Sequence, residues 1–259
     1  IASSYEYNIG YQIIESLTTE VGARQAGSEA EARARRWGAA KFRQLGFSNV
    51  RIEPFEVEFW ERASERAEIV APYPQNLAIT SLGGSVGTSD DGVRGDVVRF
   101  ATLQALKDAP RTGLEGKIVF VDEPMTRTQD GSGYGVAVAK RSGAANEAGK
   151  RGALAALIRS VGTDHHRFPH TGQMYYQPEV AKVPTAALSA PDADQLQRAL
   201  SRGPVELSLR LCVQSMGMRP SGNVLAEIPG TSDEIVLIGA HLDSWDLGTG
   251  AVDDGAGIG

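Results

Sequence analysis

The spacing of apolar and polar positions divides the chain into a helical start, a long β-rich middle and a short terminal segment. Tyr7, Ile13, Ile14, Leu17 and Val21 recur at helical spacing and predict a first helix over residues 7–21. Ser28 and Glu31 predict a capping box, with hydroxyl and carboxylate each taking an orphan amide. The helix they open turns Ala34, Trp37, Phe42 and Leu45 inward and stops at Gly46. Residues 50–60 then alternate apolar with charged side chains, as in a half-exposed antiparallel strand. Pro54 places that strand at an edge or bulge.

From about Ala63 short β-like runs alternate with Gly/Pro/Asp turns: Ala67–Ala71, Leu77–Ser81, Gly95–Ala101, Lys117–Val121, Leu154–Ile158, Pro184–Leu188 and Val205–Leu211. Two helices, over Tyr134–Gly149 and Ala193–Ser201, interrupt them. The pattern shifts again near Met216–Pro220. Glu234–Ala240 is a nearly continuous apolar run and predicts a buried, parallel, central strand. The domain organisation expected is α/β: residues 1–62 and 216–259 form a main domain, and residues 63–215 are an α+β insert. Insertion is cheap where a domain's two ends lie close together.

Composition narrows the function. A 41% hydrophobic and 22% charged chain of 259 residues is that of a globular protein. The net charge of −6, with no Lys/Arg cluster, argues against a nucleic-acid partner. No apolar stretch approaches the ~18 residues of a membrane span. Residue 1 is Ile, so an upstream segment such as a signal peptide is expected, and with it a secreted or periplasmic location. Cys212 is the only cysteine. Its place in an alternating strand predicts a small buried hydrophobe.

Chemistry concentrates past the Glu234–Ala240 run. Ligands of open α/β sheets gather beyond the carboxyl ends of such strands. His241 stands there, with Asp243 two residues on and Asp253-Asp254 twelve and thirteen on. An imidazole and a carboxylate can supply nitrogen and oxygen to Zn²⁺. Asp243 suits the second ring nitrogen of His241, fixing its tautomer. Asp253 can bridge two metals held roughly 3.5–4 Å apart. Asp254 reads as a structural residue of the loop, and Ser244 and Asp246 as solvated ones. Two ligands are fewer than the three of a catalytic zinc, so further ligands are expected beyond Gly259, in a longer parent, and this segment alone is expected to be inactive. His165 and His166 read as surface-loop residues, because adjacent side chains diverge.

His241-Leu-Asp-Ser-Trp-Asp with Gly250-Ala-Val-Asp-Asp-Gly resembles the first metal-binding segment of the M28 co-catalytic zinc peptidases, most of all the carboxypeptidase Q type. Gly116–Val121, Ala148–Ile158 and Val183–Ala186 resemble a protease-associated domain, and Pro169-His-Thr-Gly172 resembles a further segment of the carboxypeptidase Q type. The resemblance covers nearly the whole chain. It implies a zinc-exopeptidase fold with an inserted protease-associated domain and two zincs on five protein ligands. His241 would serve one zinc and Asp253 would bridge both. A cis Asp253–Asp254 bond and a glutamate base downstream are also implied. The implied partner is a short peptide, contacted by His170 among others, and a homodimer fits. The rival readings are a binding or scaffold homologue without catalysis, and an M28-like glutaminyl cyclase, which the insert opposes.

Overall fold

The computed structural model describes residues 8–259. Tyr7, expected in the first helix, lies outside them. The chain divides into two compact units: residues up to Phe59 with Met216–Gly259, and Trp60–Ser215.

In the first unit, helix α1 (Ile9–Ser16) starts at Asn8, whose side chain accepts from the Tyr11 amide at 3.2 Å. The helix widens over Leu17–Val21 and ends at Gly22. Helix α2 (Glu29–Gln44) is capped by Ser28, whose hydroxyl accepts from the Glu31 amide at 3.1 Å. The capping box is only half made. The Ser28 amide donates to the Gln25 carbonyl, and the Glu31 carboxylate pairs with Arg35 at 2.8 Å instead. The buried face of α2 is made of Glu31, Ala34, Gly38 and Ala39. Leu45, expected inward, is exposed. Small side chains, rather than the large ones, permit the close approach.

Strands β1 (Ser48–Ala71) and β8 (Glu206–Glu227) are long enough to run from one unit into the other. The shift in pattern near Met216–Pro220 therefore does not end a strand. Between them come β2 (Gln75–Leu77), β3 (Ile79–Ser81), β4 (Val93–Phe100), β5 (Ile118–Val121), β6 (Ala155–Arg159) and β7 (Thr185–Leu188). The sheet order is β2-β1-β8-β4-β5-β6-β7-β3. β4, β5, β6 and β7 are parallel, and β3 and β8 flank them antiparallel. β2 pairs with β1 only at Ala67–Ile69, so Pro54 removes no amide from that ladder.

Helices cover both faces of the parallel strands. On one face Ile118, Phe120 and Leu157 pack with Ala193, Leu196 and Ala199 of helix α6 (Ala190–Leu200). On the other, Val119, Val121 and Ile158 meet α3 (Leu103–Asp108) and α5 (Lys140–Gly149). Burial on both faces is why β5 reads Ile-Val-Phe-Val rather than alternating. Three expectations are corrected here. Tyr134–Gly149 is two helices, α4 (Ser132–Ala137) and α5. Helix α3, too short for a periodic signal, was not foreseen; Thr102 caps it, its hydroxyl accepting from the Ala105 amide at 3.0 Å. Cys212 is half-exposed.

The largest correction concerns Glu234–Ala240. It forms no strand, and Ile235, Val236, Leu237 and Ile238 are 86–89% exposed. Among the described residues no strand pairs with it, and a strand without a neighbour leaves its backbone groups to water.

Candidate metal-binding site

Arg24 holds the loop that carries the site. Its side chain is fully buried. Its guanidinium donates to the carbonyls of Leu242 at 2.5 Å, Gly22 at 3.1 Å and Gly250 at 3.2 Å, and to Thr249. Its backbone also pairs with Ser244: the Arg24 amide donates to the Ser244 hydroxyl at 3.1 Å, and the Ser244 amide donates to the Arg24 carbonyl at 3.2 Å. Ser244, expected to be solvated, is thus buried, with its hydroxyl also reaching the carbonyls of Trp245 and Gly248. Asp246 is half-buried. A planar five-donor guanidinium suits a ring of carbonyls that no lysine could span. Nothing in the local pattern marks Arg24, because all of its partners but Gly22 lie more than two hundred residues away.

Gly250 closes the loop at φ +61°, and a Cβ there would come within 2.6 Å of the Ser244 side chain. Only glycine combines that conformation with that approach. The backbone then turns at Ala251–Gly255, and the bond between Asp253 and Asp254 is cis.

His241 sits where three carboxylates converge. Its Nε2 lies 2.8 Å from Asp253 Oδ1. Its Nδ1 lies 3.1 Å from the Asp243 carbonyl and 3.2 Å from Asp243 Oδ1. Its amide donates to Asp254 Oδ2 at 3.2 Å. Partial burial lowers the basicity of the ring, but the hydrogen bond to Asp253 and the charge of Asp243 outweigh it, and the pKa lies above the usual histidine value. The side chains of His241, Asp243 and Asp253 are 51%, 43% and 82% exposed, so the cluster faces solvent. One imidazole nitrogen and one carboxylate oxygen face each other, with a second carboxylate behind the ring. That donor set suits part of a zinc shell. Among the described residues no set of three His, Cys, Asp or Glu side chains could hold a metal ion by itself.

The other histidines belong to Trp60–Ser215. His165 Nε2 lies 3.0 Å from Asp194 Oδ2, and His166 Nδ1 accepts from the Phe168 amide at 3.2 Å. They diverge. His170 Nδ1 lies 2.9 Å from Arg141 Nη2, and the His170 amide donates to the Ser160 hydroxyl at 2.6 Å.

Residues 223–259 match the model of peptidase family M28. Carboxypeptidase Q of Bos taurus is 38% identical over 96% of this chain and 52% of its own length, and that of Homo sapiens 35% identical over 96% and 52%. The chain spans about half the length of these curated relatives. A solved peptidase M28 precursor from Shewanella amazonensis is 48% identical with a TM-score of 0.94, over 96% of this chain and 57% of that one. A zinc aminopeptidase of Bacillus subtilis shares the fold at 22% identity and a TM-score of 0.65, over 96% and 54%. The segment that carries the His241 loop is thus similar to peptidase family M28, and the fold is close to that of a solved M28 peptidase precursor.

Proposed function

We propose that the protein is a zinc-dependent exopeptidase of short peptides, and that this chain contributes the first metal-binding segment together with an inserted protease-associated domain, Trp60–Ser215. The observation that carries the reading is the His241 cluster, in which Asp253 meets one ring nitrogen and Asp243 the other. The carboxypeptidase Q relatives and the zinc aminopeptidase fold neighbours support it.

His241 and Asp253 would hold the metal, Asp253 as the bridge of a pair. Bound zinc would polarise the scissile carbonyl and lower the pKa of its water toward ~7. The chain's own residues supply the rest. Asp243 accepts the Nδ1 proton of His241, which leaves Nε2 as the ligand atom. Asp254 holds the His241 amide, and Arg24 holds the loop between them. Secretion, two zincs per full-length chain and a homodimer complete the reading. No helix among the described residues is long and apolar enough to cross a membrane.

The test is zinc content and dipeptide hydrolysis in the protein that carries this segment. His241→Ala is expected to lower the first and abolish the second. Unchanged zinc and rate in a correctly folded variant would overturn the proposal.

A further inference from the structure

The buried guanidinium groups of this chain are almost all matched by charge or by a ring of carbonyls. Arg24 has four carbonyls. Arg151 pairs with Glu147 and donates to the carbonyls of Lys107, Ala109 and Pro110. Arg159 pairs with Asp122 and Asp194. Arg141 is different. It is 5% exposed, yet among the described residues no carboxylate pairs with it. All of its side-chain hydrogen bonds leave from Nη2, to the Tyr134 hydroxyl at 3.2 Å, His170 Nδ1 at 2.9 Å and the Thr171 carbonyl at 3.2 Å. Nε is buried with no acceptor, and Nη1 has none among the described residues. Removing a guanidinium from water without an anion is costly, and a charge so placed marks a site where an anion belongs.

What surrounds Arg141 describes that anion. The guanidinium lies over the Tyr134 ring, 5.6 Å from its centroid, and His170 meets the same ring edge-on at 6.0 Å. A guanidinium cannot accept a hydrogen bond, so His170 Nδ1 is the acceptor and the ring proton sits on Nε2. The Tyr134 hydroxyl accepts from Arg141, which leaves its own proton to donate elsewhere. Tyr134 is 40% exposed, Val136 74% and Tyr175 71%. Tyr175 is held by its backbone to α5: its amide donates to the Ser142 hydroxyl and its carbonyl accepts from Asn146, both at 2.9 Å. A partly exposed Tyr134 ring over a buried cation suits a ligand with one anionic group and one apolar group. Gly172 completes the packing: a Cβ there would fall 2.2 Å from the Arg141 guanidinium carbon.

We propose that Arg141 and Tyr134, with His170 as a positioning residue, form a binding site on Trp60–Ser215 for a monocarboxylate bearing an adjacent apolar group, such as the C-terminus of a short peptide. The carboxylate accepts from Arg141 Nη1 and the Tyr134 hydroxyl while the apolar group lies on the exposed rings. The choice of a peptide terminus as its source rests on the peptidase reading; the carboxylate site does not.

The experiment follows the His170 ring signals by NMR in the 259-residue chain, titrated with N-acetyl-leucine, N-acetyl-leucinamide, octanoate and inorganic phosphate. The expected result is saturable perturbation by N-acetyl-leucine, none by the amide, and weaker binding of octanoate and phosphate. Tyr134→Phe, at an exposed position, and Arg141→Lys, which keeps charge but loses the fork, each weaken binding about tenfold; folding of both is checked by thermal melts. His241→Ala leaves binding unchanged, which separates this site from the metal reading. Equal binding of acid and amide, or no perturbation, overturns the carboxylate site. Tighter phosphate overturns the monocarboxylate assignment, tighter octanoate overturns the peptide terminus, and loss of binding in His241→Ala overturns the placement on this unit.

Discussion

Ile118-Val-Phe-Val121 and Ile235-Val-Leu-Ile238 are nearly the same peptide in opposite surroundings. The first is 0% exposed at every residue, and the second is 86–89% exposed. Each would pass for a strand buried on both faces. β5 becomes one because β4 and β6 pair with its two edges while α6 lies on one face and α3 and α5 on the other. Ile235–Ile238 has no such neighbours among the described residues. An apolar run states a demand for cover, and the rest of the fold decides whether the demand is met.

The contrast can be broken by mutation. Phe120→Ala is expected to destabilise the chain by about 3–5 kcal/mol through lost burial and a cavity, read by urea unfolding. Leu237→Ala is expected to stay within about 0.5 kcal/mol. A comparable loss at Leu237 would mean that the run is covered in solution, and a concentration-dependent loss would mean that copies of the chain cover it.

Arg24→Ala probes the better-held part of the same unit. It leaves four carbonyls without their donor and is expected to cost about 2–4 kcal/mol. Hydrogen exchange of residues 242–250 should quicken while Ile118–Val121 keeps its protection. Arg24→Lys should not restore the loop, since one ammonium cannot span those carbonyls. Full rescue by lysine would reduce Arg24 to a simple buried charge.

Lys140 sharpens the picture of the other unit. Burial, partly offset by Glu123, lowers its pKa from 10.5 to about 8. The folded state therefore releases this proton more easily than the unfolded one. Below about pH 8 both states are protonated and the full penalty of the buried charge is present; as pH rises from 8 to 10.5 the penalty disappears. Stability should thus increase over that window by up to about 3 kcal/mol relative to Lys140→Met. Identical pH profiles for the two proteins would show that Lys140 is hydrated in the folded state.

A further effect is expected behind His241. Asp243→Asn should lower zinc affinity about 10–100-fold, and less than Asp253→Asn. The reverse ranking would make Asp243 a direct ligand.

The same contrast explains what could be read from the chain. The β runs of the middle segment, the helix behind Ser28 and the grouping of His241 with Asp243, Asp253 and Asp254 are local in sequence, so spacing reveals them. Helix α3 is too short for its period to register, and the break between α4 and α5 is hidden in an Ala/Gly-rich stretch that favours neither break nor continuity. The reciprocal half of the capping box fails because Arg35 competes for Glu31. Arg24 and Arg141 act mainly through partners distant in sequence, and no pattern along the chain could single them out.

Sequence alone determined the fold class, the β runs of the middle segment, the helix behind Ser28 and the pairing of a histidine with aspartates on one short loop, since these depend on periodicity and on residues within about a dozen positions. Tertiary structure decided which apolar runs are covered, which small residues let α2 pack, how Arg24 is recruited to hold the His241 loop, and that Arg141 is buried without a counter-charge. Those outcomes depend on which surfaces meet after folding. Two segments as alike as Ile118–Val121 and Ile235–Ile238 carry no record of that in themselves.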